Sequence, residues 1–124
     1  MVSIVTQDFA QSVVRDDPAM FVGEVRGQDL VLDGALPQLR IAAITFVDGA
    51  RNQCHRHDTE QVLIVTHGEG IIADADGEHA IRAGDVVSVQ PGEWHWHGAA
   101  PGQSMTHITV LLPGGREIDA TKCM

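Results

Sequence analysis

The stretch Gln53-Cys54-His55-Arg56-His57-Asp58-Thr59-Glu60-Gln61 sets a run of polar and ionisable side chains between two apolar segments. In extended chain, side chains alternate between faces, so His55 and His57 point the same way and Gln61 returns to that face. Neutral imidazole nitrogens and an amide oxygen are competent ligands for a divalent transition metal. Imidazole suits zinc, copper, iron or nickel, and oxygen donors suit manganese. The stretch therefore predicts metal binding. Glu60, one residue away on the opposite face, is the competing ligand for Gln61.

A second patch, Gly92-Glu93-Trp94-His95-Trp96-His97, puts His95 and His97 on one face and both tryptophans on the other. A third, Met105-Thr106-His107-Ile108-Thr109, carries a lone histidine in a strand-like run. The remaining histidines, His67 beside Gly68 and His79 just after Asp76-Gly77, sit at turn signals and are expected in solvent.

The elements that must position these groups are short strands. Met20-Phe21-Val22 and Leu30-Val31-Leu32 suggest two strands around a turn, and Leu39 to Val47 reads as a strand covered on both faces. Val62 to Thr66 is the next strand, closed by His67-Gly68-Glu69-Gly70. Ile71 to Ile81 forms a hairpin about Asp76-Gly77. Val86 to Val89 follows, and Met105 to Leu112 is the last long strand. Residues 1–18 read as an N-terminal arm and 19–124 as a single domain. Past residue 18 no stretch shows a helical period, which is the pattern of an all-β sandwich or barrel.

At 124 residues the chain can bury about two thirds of the surface its unfolded form exposes, so a metal is not required for folding. Eight Lys plus Arg against 17 Asp plus Glu give a formal charge of −9. The acids are dispersed, which argues against a nucleic-acid or anionic-membrane partner, since phosphate contacts need clustered cations. Cys54 and Cys123 are too few for a disulfide scaffold and are expected as reduced thiols. The N-terminal residues lack the features of a secretion signal and no run reaches membrane-spanning length, so a cytoplasmic location is expected.

Over roughly residues 20 to 112 the chain resembles the cupin family, small jelly-roll barrels (double-stranded β-helices) that hold a metal through two motifs. Gly49, His55, His57 and Gly68 match the first motif, with Gln61 at its glutamate position. Gly84, Gly92 and His95 match the second, with Gln90 replacing its first proline and Ala99 its terminal asparagine. Gln61 together with His95 to Pro101 and Met105 to Ile108 is similar to small bacterial cupins that include manganese-dependent hydroxynitrile lyases. It is equally similar to cupin modules found beside carboxymuconolactone-decarboxylase-like domains.

The resemblance implies His55, His57, Gln61 and His95 as ligands of a divalent metal, manganese first, with iron, zinc, nickel or cobalt as alternatives. It also implies His97 and His107 as neighbouring or acid/base groups, and a homodimer. Cys54 stands where those lyases carry a tryptophan, and Asp58-Thr59-Glu60 replaces a Pro-Leu-Gly type sequence, so the pocket wall differs.

Three imidazoles and one amide leave the metal's charge uncompensated, which suits a Lewis acid. Histidine is the side chain suited to shuttling a proton near neutral pH, so His107 is expected as acid or base and His97 as the donor that orients substrate. Trp94, Trp96, Met105, Ala42, Ala43 and Ala99 are expected to line an apolar pocket for a small molecule. Together with these features, the resemblance implies a metal-dependent lyase acting on a small hydroxynitrile or a related carbonyl adduct. An iron- or manganese-dependent oxygenase and a non-catalytic binding module are the alternatives.

Overall fold

The computed structural model of the chain describes residues 2–32 and 34–123. Twelve strands account for its regular structure, apart from two single-turn 3-10 helices, Phe9–Gln11 and Ala120–Cys123. In chain order they are β1 (Val13–Val14), β2 (Phe21–Val22), β3 (Val25–Asp29), β4 (Arg40–Phe46), β5 (Arg51–Asn52) and β6 (His55–His57). There follow β7 (Gln61–Asp74), β8 (Gly77–Arg82), β9 (Val86–Val89), β10 (Trp96–Ala99), β11 (Met105–Leu111) and β12 (Arg116–Ile118). All pair antiparallel, in a curled sheet ordered β1-β3-β4-β11-β7-β10-β5-β2 with β8 and β9 also on β7, and a separate pair β12-β6. Among the described residues no helix is long and apolar enough to cross a membrane.

β7 serves both halves of the barrel. Its first half pairs with β11 and β9, its second with β10 and β8. The segment His67 to Gly70, expected as a turn, is instead a continuous part of this strand. The register with β11 shifts by one residue, since Thr106 faces His67 and His107 faces Val65, leaving Thr66 as a bulge. Bulges bend a strand and sharpen its twist, which lets one strand pass from one sheet to the other. Gly68 has φ of 79°, and a Cβ there would collide with the Ser104 carbonyl oxygen, so only glycine fits beside β11. The same glycines that read as a turn are needed for the crossing.

Other expectations hold with shifted bounds. The Asp76-Gly77 hairpin joins β7 and β8, and Asp48-Gly49 turns with both residues at positive φ. The strand expected at Leu30 to Leu32 lies earlier, as β3, because its alternating Val25 and Gly27 are the buried positions and Leu32 is exposed. Met105 to Leu111 is the last long strand, and a short one, β12, follows it and pairs with the histidine strand β6, Arg116 facing His57 and Ile118 facing His55.

The core gathers Val25, Phe46, Leu63, Val65, Ile72 and Met105, with alanines filling the gaps. Phe46 is fully buried and its ring lies 5.6 Å from those of both His97 and His107, so the apolar core ends where the histidines begin. One expectation is overturned nearby. Cys54 and Cys123 are not free thiols but form a disulfide across 69 residues, their Cα atoms 5.7 Å apart. Cys54 does face away from the histidines, as its parity requires, and that is where the returning C-terminal segment meets it.

Candidate metal site

The two histidine patches are joined by backbone. His55 N–H donates to the His95 carbonyl at 2.9 Å and His95 N–H to the His55 carbonyl at 3.0 Å, an isolated antiparallel bridge. Residues directly opposed in such a bridge project their side chains to the same face. Their imidazole centroids are 4.3 Å apart, and the His57 ring lies 4.9 Å from that of His55.

Hydrogen bonds then fix which atom of each ring is free. His55 Nδ1–H donates to the Gln53 carbonyl at 2.7 Å and His95 Nδ1–H to the Glu93 carbonyl at 2.9 Å. In each case Nε2 is left with its lone pair, buried and without a partner. A ring whose far nitrogen is anchored on a carbonyl is the usual arrangement of a metal-bound histidine. Gln61 behaves likewise: its Nε2 donates to Thr109 Oγ1 at 2.9 Å, leaving Oε1 buried and without a partner, while Glu60 is exposed. His57 Nε2 is the fourth buried atom of this set without a hydrogen bond. Buried acceptors without partners are costly unless something with positive charge lies beside them. The donor set therefore fits a divalent cation.

The nitrogens of His55, His95 and His97 lie within 4.8 Å of one another, so His97 competes with His57 as the third ring. Its surroundings differ from those of His57. Asn52 accepts the His97 backbone N–H at 2.8 Å, and Asn52 Nδ2 sits 3.1 Å from Nε2 and 3.4 Å from Nδ1 of the ring. An amide donor thus caps the edge of His97 that a metal would need, whereas His57 Nε2 is uncovered. His107, 4.9 Å from His97 between ring centroids, is about 1% exposed and neither of its nitrogens has a partner.

Burial keeps all five rings neutral at neutral pH. Desolvation, then repulsion by neighbouring imidazoles and Arg116, lowers His55 to about 3, and desolvation with His95 and Arg116 lowers His57 to about 4. His107 falls to about 4 by desolvation, and His95 and His97 are lowered by the same cause. Neutral imidazole is the form that binds metal.

Four of the five rings, all but His95, open onto a cavity of about 490 Å³. His55, His57, Gln61, His97 and His107 line it, along with Phe46, Ala42 and Ile44. Trp94 and Trp96, expected in the wall, are instead on the opposite side of their strand, stacked under Arg56 at 4.6 Å and Arg51 at 4.1 Å. Met105 and Ala99 belong to the core, and Ala43 faces the outer side of β4, so of the expected small wall residues only Ala42 is in place. His67 and His79 are exposed, as expected.

The residues that sequence reasoning missed are Thr109, which orients Gln61, Asn52, which fixes His97, and the arginines of the cavity mouth. Thr109 shares the face of His107 two residues away, and that parity was the available signal.

The sequence profile of the Cupin domain family (Cupin_2) matches residues 43–112. An (R)-mandelonitrile lyase of Granulicella tundricola is 49% identical over 70 residues, which cover 56% of this chain and 53% of that protein. A gentisate 1,2-dioxygenase of a Ralstonia species is 33% identical over 58 residues, 46% of this chain and 16% of that protein. The matches thus span about half or less of those relatives' own lengths. A cupin-like protein of Thermotoga maritima superposes with a TM-score of 0.82 at 30% identity, covering 91% of this chain and 89% of that one. The polyketide cyclase RemF of Streptomyces resistomycificus superposes at 0.78 with 17% identity, covering 94% and 82%, a likeness of fold.

Proposed function

The chain belongs to the cupin family, and from that premise we propose that it is a metal-dependent lyase cleaving a small hydroxynitrile into a carbonyl compound and cyanide. The observation that carries the reading is a set of four buried donor atoms without hydrogen-bond partners, Nε2 of His55, His57 and His95 and Oε1 of Gln61, the three rings lying side by side. These would hold a divalent transition metal, manganese first, and the likeness to the mandelonitrile lyase suggests the reaction. Bound there, the metal would supply Lewis acidity, undiminished because every proposed ligand is neutral.

The chain's own residues would do the rest. His107, neutral and without a partner, takes the proton of the substrate hydroxyl. As the carbon–carbon bond breaks, its electron pair leaves with cyanide and the former alcohol becomes a carbonyl. Burial disfavours the imidazolium, so His107 readily returns the proton to cyanide. His97, held by Asn52, orients the substrate, and Phe46, Ala42 and Ile44 exclude water around it.

Incubating manganese-loaded protein with racemic mandelonitrile and following benzaldehyde absorbance tests this reading. Release well above a chelator-treated control is expected; equal rates in the two would refute it. The local likeness to gentisate 1,2-dioxygenase supports a second reading, an iron- or manganese-dependent oxygenase, for which oxygen uptake is the readout. As for location, disulfides persist mainly in oxidising compartments, so the Cys54–Cys123 pair and the expected cytoplasm pull in opposite directions. Thiol trapping on protein taken directly from cells decides between them.

A further inference from the structure

The mouth of the cavity carries more positive charge than the rest of the molecule would suggest. The whole chain has eight cationic side chains and a formal charge of −9, yet Arg15, Arg40 and Arg116 all line this one cavity. Two of them are answered. Arg116 Nη2 lies 3.1 Å from Asp17 Oδ2, and Arg15 Nη2 lies 3.0 Å from Asp29 Oδ1. Arg40 has no ion-pair partner among the described residues, and the only other acid lining the cavity, Asp16, pairs with none of the three.

Where Arg40 stands is set by register. It begins β4, and Arg40, Ala42, Ile44 and Phe46 share the face that lines the cavity. Across the sheet Arg40 faces Leu111 of β11, and Leu111 faces Gln61 of β7. Arg40 and Gln61 thus end one row of the sheet two strand spacings apart, on the order of 10 Å between backbones. The length of one small aromatic ring with a substituent at each end fits between them. Leu111, Ala42 and Ile44 supply an apolar surface for that ring.

We propose that Arg40 is a specificity-determining residue that receives the carboxylate of a small anionic substrate, whose other end reaches the four donor atoms of His55, His57, Gln61 and His95. The substrate class is a hydroxyl or carbonyl compound bearing a carboxylate at its far end. This rests on the metal site proposed above only for the near end of the ligand. The guanidinium matches a carboxylate in shape and charge. A neutral ligand set offers nothing to offset a cation, and an anionic guest in the same cavity does.

Calorimetric binding to the manganese-loaded protein tests this without relying on turnover, with 4-(hydroxymethyl)benzoate and its neutral amide as probes. The benzoate is expected to bind about three- to tenfold more tightly, the size of one partly exposed charge pair, and to lose that margin in 0.5 M salt. Arg40→Gln is expected to abolish the margin and Arg40→Lys to restore part of it, each variant first checked for wild-type thermal unfolding. If Arg40→Gln fails that check, the salt titration on the wild-type protein decides. Equal affinity for the two probes, a margin that survives Arg40→Gln, or binding of neither at millimolar concentration would overturn the proposal. Repeating the measurement on chelator-treated protein separates the two readings: a persisting preference for the anion keeps Arg40 as the carboxylate site even if no metal role exists.

Discussion

Stripping the metal and lowering the pH from 8 to 5 should weaken the fold, because the site buries imidazoles that stay neutral in the folded chain but take up protons once unfolded. The sign follows from the shifts: a histidine whose folded pKa lies below its unfolded value stabilises above the unfolded value and loses that contribution as pH falls toward the folded one. His55 falls to about 3 and His107 to about 4, and both are about 1% exposed, so no discount for solvent screening applies. With an unfolded value of about 6.5, each costs about 2 kcal/mol at pH 5, or about 4 kcal/mol together. His57, His95 and His97 shift in the same direction and add to this. A domain of this kind has only about 5–15 kcal/mol in total. Among the carboxylates with resolved shifts, Asp74 and Asp119 are lowered, so they titrate below the chosen window.

Urea unfolding of chelator-treated protein, read by tryptophan fluorescence at both pH values, measures the difference. His107→Gln, which cannot titrate, should shrink it by about 2 kcal/mol. A stability at pH 5 within 1 kcal/mol of that at pH 8, or an undiminished difference in His107→Gln, would refute the claim that these rings are buried neutral.

Three further outcomes are expected. Thr109→Val frees the Gln61 amide and should weaken manganese binding about 10- to 100-fold, as losses of supporting hydrogen bonds do, and should cost the metal-free protein about 1–3 kcal/mol for the buried donor left unpaired; competition with a fluorescent chelator and urea unfolding measure the two. Reducing the Cys54–Cys123 bridge, or Cys123→Ser, should cost up to about 4 kcal/mol of unfolding free energy for a loop of this length, measured in urea with and without reductant. Phe46→Ala should cost about 3–5 kcal/mol, because a ring packed between core and histidines leaves a void that neither side can close.

Parity and spacing were enough to bring His55, His57, Gln61 and His95 together on paper, because each motif is local and strands impose a period of two. Parity also put the tryptophans opposite His95 and His97; the expectation that they lined the pocket ran against it, and the structure follows the parity. What could not be read were contacts made across the fold. Asn52 reaches His97 and Gln61 reaches Thr109 over more than 40 residues of chain, with no local pattern announcing either. The β6–β12 pairing and the Cys54–Cys123 bridge join segments whose relation exists only once the barrel has closed. Gly68 misled for a physical reason: positive φ serves a turn and a bulged, bending strand equally well.

β7 is flanked by partners along its length, β9 and β11 toward Gln61, β8 and β10 toward Asp74. Fraying it would mean peeling away four neighbours at once, so its central amides should be among the last in the molecule to trade hydrogen for deuterium. Gln61 starts this strand, paired on both sides, with Leu111 and Val89. A side chain mounted on backbone held from both sides, with its amide tied to Thr109, keeps its oxygen in place, and the cost of that aim is met when the chain folds rather than each time a guest arrives.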